Sequence, residues 1–282
     1  MNQGRDWQFN QSVPHQSCRA SVLAITSGKG GVGKTNIAVN LSICLARHNQ
    51  RVLLMDADLG LGNVDVVMNL SGHGDLGQVI FGEKSLEDII RPGPGGVEVI
   101  CGGAGIEKLV NLNEFERHRL LEDLGRLQER SDIIVIDTGA GISESVICFC
   151  LAADHTVVVT TPEPTGMTDA YAMIKILAGR KYPGRISLLV NQVDSVWEGR
   201  RTYRQIADVA GRFLGVGVYD AGILCRDQHL VSAVRRRSPV VLEYPRAAIS
   251  AGIAAISDRL SSGTASSITK EGFFRKAVNW LF

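Results

Sequence analysis

The 282-residue chain predicts an α/β fold, a doubly wound and mostly parallel sheet with helices on both faces. Three observations predict it. Apolar β-rich runs alternate with helical patterns, the runs are apolar on both faces as buried parallel strands are, and a glycine-rich turn follows the first of them. The runs are 22–25, 51–56, 97–101, 132–137, 156–160, 186–191 and 216–222. In such a sheet the loops at the carboxyl ends of the strands carry the function.

The chain opens on a polar stretch containing Pro14, so residues 1–20 read as a flexible arm. Residues 21–260 form the domain, with enough apolar content (45%) to bury one large core. The segment Ser261-Ser262-Gly263-Thr264-Ala265-Ser266-Ser267 is a linker by composition, setting off residues 268–282. A formal charge of +1 predicts no nucleic-acid partner. No leader and no run near the ~18 apolar residues of a membrane span is evident, which predicts a cytoplasmic protein. Six scattered cysteines, Cys18, Cys44, Cys101, Cys148, Cys150 and Cys225, contain no C-x-x-C pair and read as reduced, mostly buried thiols.

After the first strand comes Gly28-Lys29-Gly30-Gly31-Val32-Gly33-Lys34-Thr35, and then an amphipathic stretch. This is a phosphate-binding loop: glycines let backbone amides turn onto phosphate oxygens, Lys34 serves the terminal phosphates, and the Thr35 hydroxyl serves magnesium. An additional lysine, Lys29, stands where an ordinary loop of this kind needs nothing in particular. The second strand ends in Asp56-Ala57-Asp58, whose carboxylates divide the work of a phosphoanhydride hydrolase. Asp58 positions or deprotonates the attacking water, and Asp56 supports magnesium or Thr35. Four apolar residues lead to Asp137, expected to hold magnesium through water, and Gly139 and Gly141 let the following backbone swing toward the γ-phosphate. A segment in that place reports which nucleotide is bound.

Together, the KGGVGKT, DADLGLGNVD and IIVIDTGAGI segments resemble the deviant phosphate-loop ATPases of the MinD/ParA group over roughly residues 21 to 260. Glu163-Pro164-Thr165, followed by 168–175, is most similar to the flagellar-number regulators FlhG/FleN within it. The resemblance implies an ATPase using ATP and Mg2+, an ATP-dependent homodimer formed face to face, and Lys29 reaching the partner's nucleotide. A lysine supplied in trans couples hydrolysis to assembly, because it stabilises developing phosphate charge only when the dimer exists. The resemblance also implies that adenine is read by Asn191 and by Asp227, although Cys225 stands where the family carries proline. Without it, each residue reads equally well as a satisfied turn or cap.

The last segment places Phe273, Phe274, Ala277, Val278, Leu281 and Phe282 at helical spacing, with Lys270, Arg275 and Lys276 beside them. It reads as an amphipathic helix on an anionic membrane, with Lys270, Phe273, Phe274, Lys276, Trp280, Leu281 and Phe282 as the lipid contacts. The alternative is a terminal helix docked on the domain. One such helix binds marginally, whereas a dimer presents two, and linked sites raise avidity about 10²–10⁴-fold. The expected cycle therefore places the ATP dimer on the inner face of the cell membrane and releases it on hydrolysis, setting flagellar number or placement. Division-site placement is the alternative within the same cycle; a DNA-partitioning module or an iron–sulfur carrier are others. The resemblance names an SRP-type GTPase and a transcriptional activator of flagellar genes as partners, with Asp6-Trp7-Gln8 a faint echo of a GTPase-activating motif. Arg235-Arg236-Arg237 reads as a solvated helix end.

Overall fold

The computed structural model describes residues 19–58, 62–71, 74, 78–79, 82–102, 125–263, 272–273 and 275–277. In chain order the elements are β1 (Ser21–Ser27), α1 (Lys34–Ala46), β2 (Val52–Ala57), α2 (Val64–Met68), α3 (Leu86–Ile89), β3 (Ile90–Pro92) and β4 (Glu98–Ile100). They continue with β5 (Ile133–Ala140), α4 (Glu144–Ala152), β6 (His155–Thr160), α5 (Pro164–Gly179), β7 (Arg185–Val193), α6 (Val196–Leu214) and β8 (Tyr219–Cys225), and close with α7 (Gln228–Arg235), α8 (Val240–Glu243) and α9 (Ala248–Gly263).

The strands form one sheet in the order β3-β4-β2-β5-β1-β6-β7-β8. Every pairing is parallel except β3 with β4 at the edge. β1 sits centrally between β5 and β6, so successive strands lie on either side of it, and the crevice at its carboxyl end is the topological switch point. Apolar side chains fill two cores, one against each face: α1, α8 and α9 cover one, and α4, α5 and α6 the other. The central strands β2 and β5 are buried on both faces, which explains the apolar runs with which they begin.

The structure corrects three boundaries. Residues 216–218 are not strand: α6 ends at Leu214 with Gly215 (φ 68°) as its C-cap, and β8 begins at Tyr219 and runs through Gly222 to pair Cys225 with Val193. Gly222 reads as a strand end in sequence, but its φ of 145° lies in a register shift that the strand passes through. The composition-based linker begins too early, because α9 continues to Gly263. The tail is not simply set apart from the domain: Phe273 is fully buried and Ala277 buried, both in the α4–α6 core, and the Phe273 ring lies 6.4 Å from that of Phe149. An apolar helical stripe suits a protein core and a lipid surface equally, so the pattern does not distinguish them. Residues 1–18 of the arm, with Asp6, Gln8 and Cys18, lie outside the described residues, as do Lys270, Phe274, Trp280, Leu281 and Phe282.

Candidate nucleotide site

The loop from Gly28 to Gly33 leaves β1 at the switch point and delivers the chain into α1 at Lys34. Gly33 has φ 90°, and a Cβ there would stand 2.6 Å from Asn191 Nδ2, so both conformation and space demand glycine. No side chain caps α1, which leaves its first amides facing the crevice, the arrangement that binds anions. Lys34 Nζ reaches Asp137 Oδ1 at 2.9 Å, and both side chains are buried. Each charge compensates the other where neither has water.

Parallel register sets Asp56 on β2 directly beside Asp137 on β5. Asp56 accepts hydrogen bonds from the amides of Asp58 (3.0 Å) and Val64 (3.2 Å). Burial, and then the neighbouring Asp137 carboxylate, still push its pKa from 3.8 up to about 6. Burial raises the pKa of Asp137 as well, against the pull of Lys34 and Thr35. Asp137 Oδ2 is buried with no hydrogen-bond partner among the described residues. A Cβ added to Gly139, near the end of β5, would lie 3.7 Å from Asp58 Oδ1, so the segment after β2 comes up against the end of β5.

Lys29 is bound in a way the sequence does not reveal. Its Nζ sits 2.8 Å from Glu163 Oε2 and 3.1 Å from Thr165 Oγ1, at the start of α5. The lysine hydrogen bond is the first cause of a lowered Glu163 pKa. Gln192 was also missed: its Nε2 donates to Gly31 O at 3.0 Å, beside Asn191 Nδ2 donating to Val32 O at 2.8 Å. Only a non-glycine residue in a left-handed conformation, φ 59°, could have flagged it, and φ is invisible in sequence.

The two expected adenine contacts both carry structural duties. Asn191 braces the phosphate loop, and Asp227 is the N-cap of α7, accepting from the amides of His229 (2.8 Å) and Ile249 (3.1 Å). Burial opposes its charge, but these bonds outweigh burial and hold the Asp227 pKa low. Cys148 and Cys150 lie within α4, and burial raises their thiols to about 11 and about 12, so both stay protonated. No cluster of metal-ligating side chains stands out among the described residues. The arginine triplet ends α7 as read, with Arg236 paired to Glu243 at 2.8 Å.

Comparison with known proteins fits this geometry. A family description, AAA domain, matches residues 20–181. The antiactivator FleN of Pseudomonas aeruginosa is 38% identical over 241 residues, 86% of each chain. The flagellum site-determining protein YlxH of Helicobacter pylori is 36% identical over 267 residues, 92% of this chain and 90% of that one. Among solved structures, the MinC:MinD cell division complex of Aquifex aeolicus aligns with a TM-score of 0.70 at 26% identity, covering 90% of this chain and 100% of that one.

Proposed function

The chain belongs to the MinD/ParA group of phosphate-loop ATPases, and we propose that it works there as an ATP-timed switch that sets flagellar number or placement. The observation carrying the switch is Lys29, whose ammonium is held in cis by Glu163 and Thr165 at the start of α5. In the ATP homodimer Lys29 leaves these partners and meets the nucleotide of the second subunit. Hydrolysis then waits for assembly, because the charge that develops on the phosphates is neutralised only across the interface. Identities of 38% and 36% to proteins named for flagellar control favour that output over division-site placement. Since the Pseudomonas relative is by name an antiactivator, a transcriptional activator is the partner class expected of this protein.

The residues present fit a magnesium ion. Asp137 carries a buried oxygen with no partner among the described residues, and Asp56 is forced up to about 6 beside it, a pair of carboxylates that a divalent cation relieves. Thr35, Asp56 and Asp137 would hold the ion, which when bound neutralises phosphate charge. Lys34 moves from Asp137 to the terminal phosphates, the amides of the loop and of α1 take the remaining oxygens, and Asp58 aligns and deprotonates the water.

For the membrane step, Trp280, Leu281 and Phe282 are the inserting residues, supported by Lys270, Phe274 and Lys276. Phe273 joins them only by leaving its place against Phe149. No described helix is long and apolar enough to cross a membrane. The protein is thus expected to be peripheral on the cytoplasmic face in its ATP state.

The test is sedimentation with anionic liposomes, using Asp58→Ala to block hydrolysis, with and without Leu281→Asp and Phe282→Asp. Pelleting with ATP, its absence with ADP, and its loss on the tail changes support the cycle. Pelleting that ignores nucleotide overturns it, and an unchanged flagellar count in a deletion strain overturns the flagellar output alone.

A further inference from the structure

We propose that Gln192 is a positioning residue for nucleotide binding, one that aims the amides of the phosphate loop from behind. A trans peptide points its carbonyl and its N–H in opposite directions, so a donor fixed on the carbonyl of one residue aims the amide of the next the other way. Three peptides of the loop are fixed in this manner. Ser27 Oγ donates to Lys29 O at 2.9 Å, Gln192 Nε2 to Gly31 O at 3.0 Å, and Asn191 Nδ2 to Val32 O at 2.8 Å. The amides of Gly30, Val32 and Gly33 are thereby turned away from these donors, and those of Val32 and Gly33 owe their aim to the end of β7.

The backbone of β7 is distorted where this happens. Val190 pairs with Ile223 and Val193 with Cys225, so three steps on β7 oppose two on β8. In a regular strand, Asn191 and Gln192 would point to opposite faces and only one could reach the loop. The extra residue and the left-handed φ of 59° at Gln192 turn both amides onto the same loop. Arg226 locks the distortion, donating its Nε to Gln192 O and its N–H to Val193 O, both at 3.0 Å. A non-glycine residue in this conformation is strained, and strain that persists at a site is offset by what the residue does there.

Preorganised donors bind phosphate without spending free energy on ordering the loop at the moment of binding. Loosening one of them weakens ADP and ATP alike, because the loop serves the phosphates common to both.

Two substitutions separate this role from a merely structural one. Gln192→Gly removes the donor and relieves the strained φ, so the melting temperature of the nucleotide-free protein holds or rises while Kd for Mg-ADP, by isothermal titration, rises roughly three- to tenfold. Gln192→Lys restores a donor of similar reach and brings Kd back to within about twofold of the parent chain. The proposal is overturned if Gln192→Gly binds ADP as tightly as the parent, if its weaker binding comes with a matching loss of melting temperature, or if Gln192→Lys is equally weak. A parent chain that binds no ADP would instead sink the ATPase cycle itself.

Discussion

Replacing Phe273 by alanine asks whether the tail is a detachable element or a fixed part of the core. Phe273 is fully buried against Phe149, and the tail closes a turn through Lys276 N–H to Gly272 O at 2.9 Å. Removing a buried phenylalanine costs about 3–5 kcal/mol where the surroundings cannot rearrange. Ordering the residues 272–277 costs about 1–2 kcal/mol each, on the order of 6–12 kcal/mol for the turn. Burial of Phe273 and Ala277 therefore offsets at best the lower end of this ordering cost, and docking of this turn leaves no surplus of stability. In Phe273→Ala the tail should leave while the domain stays folded. Calorimetry should then show a fall of less than about 3 °C, whereas a fully transmitted 3–5 kcal/mol lowers the melting temperature of a domain this size by roughly 6–20 °C. Hydrogen exchange supplies the second readout, the Lys276 amide losing protection while the amides of β1 and β5 keep theirs. A fall above 6 °C, with tail and sheet exchanging together, refutes the reasoning and makes the tail a core element.

Glu163→Gln removes the charge that retains Lys29, so ATP-dependent dimerisation by analytical ultracentrifugation should tighten severalfold and basal ATPase should rise; unchanged dimerisation refutes the latch. Asp58→Ala should cut ATP turnover roughly 10²-fold or more with nucleotide affinity retained, and preserved turnover would remove Asp58 from its role. The raised pKa of Asp56, about 6 against an ordinary 3.8, means stability fully present below the ordinary value and lost as pH rises through about 6. The melting temperature of the nucleotide-free protein should thus fall more steeply from pH 5 to 8 than that of Asp56→Asn, by about 1.5 kcal/mol of the ~3 kcal/mol total, and parallel curves would contradict the shift. Asp137→Asn strips Lys34 of its partner and should destabilise the nucleotide-free protein by about 3–5 kcal/mol. ATP in EDTA should restore more stability to that variant than to the parent chain, as read by thermal shift, and equal shifts would argue against exchange of Lys34 between Asp137 and phosphate.

What was legible in the sequence is what local chemistry dictates. Gly28 to Thr35 declares its ligand because glycine turns amides inward while lysine and a hydroxyl residue do the rest, and Asp56 and Asp137 are legible because each follows an apolar run, although β5 continues past Asp137 to Ala140. Their adjacency is not local, since it comes from the register of β2 on β5, but a parallel sheet with a central β1 makes it expected. Illegible were features that depend on a partner far along the chain. The hold of Glu163 on Lys29 spans 134 residues, and the reach of Gln192 to Gly31 spans 161. Strand β3 was missed because three residues containing Pro92 at an antiparallel edge carry no apolar run. Asp227 is legible only as a choice of two duties: an aspartate before a helix satisfies a capping rule and a nucleotide motif equally well, and the structure shows the capping.

Both lysines of the nucleotide-free site are paired within one chain, and this bears on how the protein can switch. Lys34 answers Asp137 in the dry interior, Lys29 answers Glu163 at the surface, and Asp56 relieves its crowding through a raised pKa. A triphosphate entering such a site cannot simply add its charge to groups that are waiting. It must draw Lys34 off Asp137, which exposes a buried carboxylate to a penalty that only a cation repays. Drawing Lys29 off Glu163 is easier, because that pair is exposed and water screens it, so its release does not oppose binding strongly. The two lysines thus suit different steps. The buried pair ties nucleotide binding to the metal and makes it selective, whereas the exposed pair restrains assembly only lightly, leaving dimerisation reversible on hydrolysis. A weak anchor in the tail is consistent with the same logic, since a switch held by several small terms can be reversed by the loss of one phosphate.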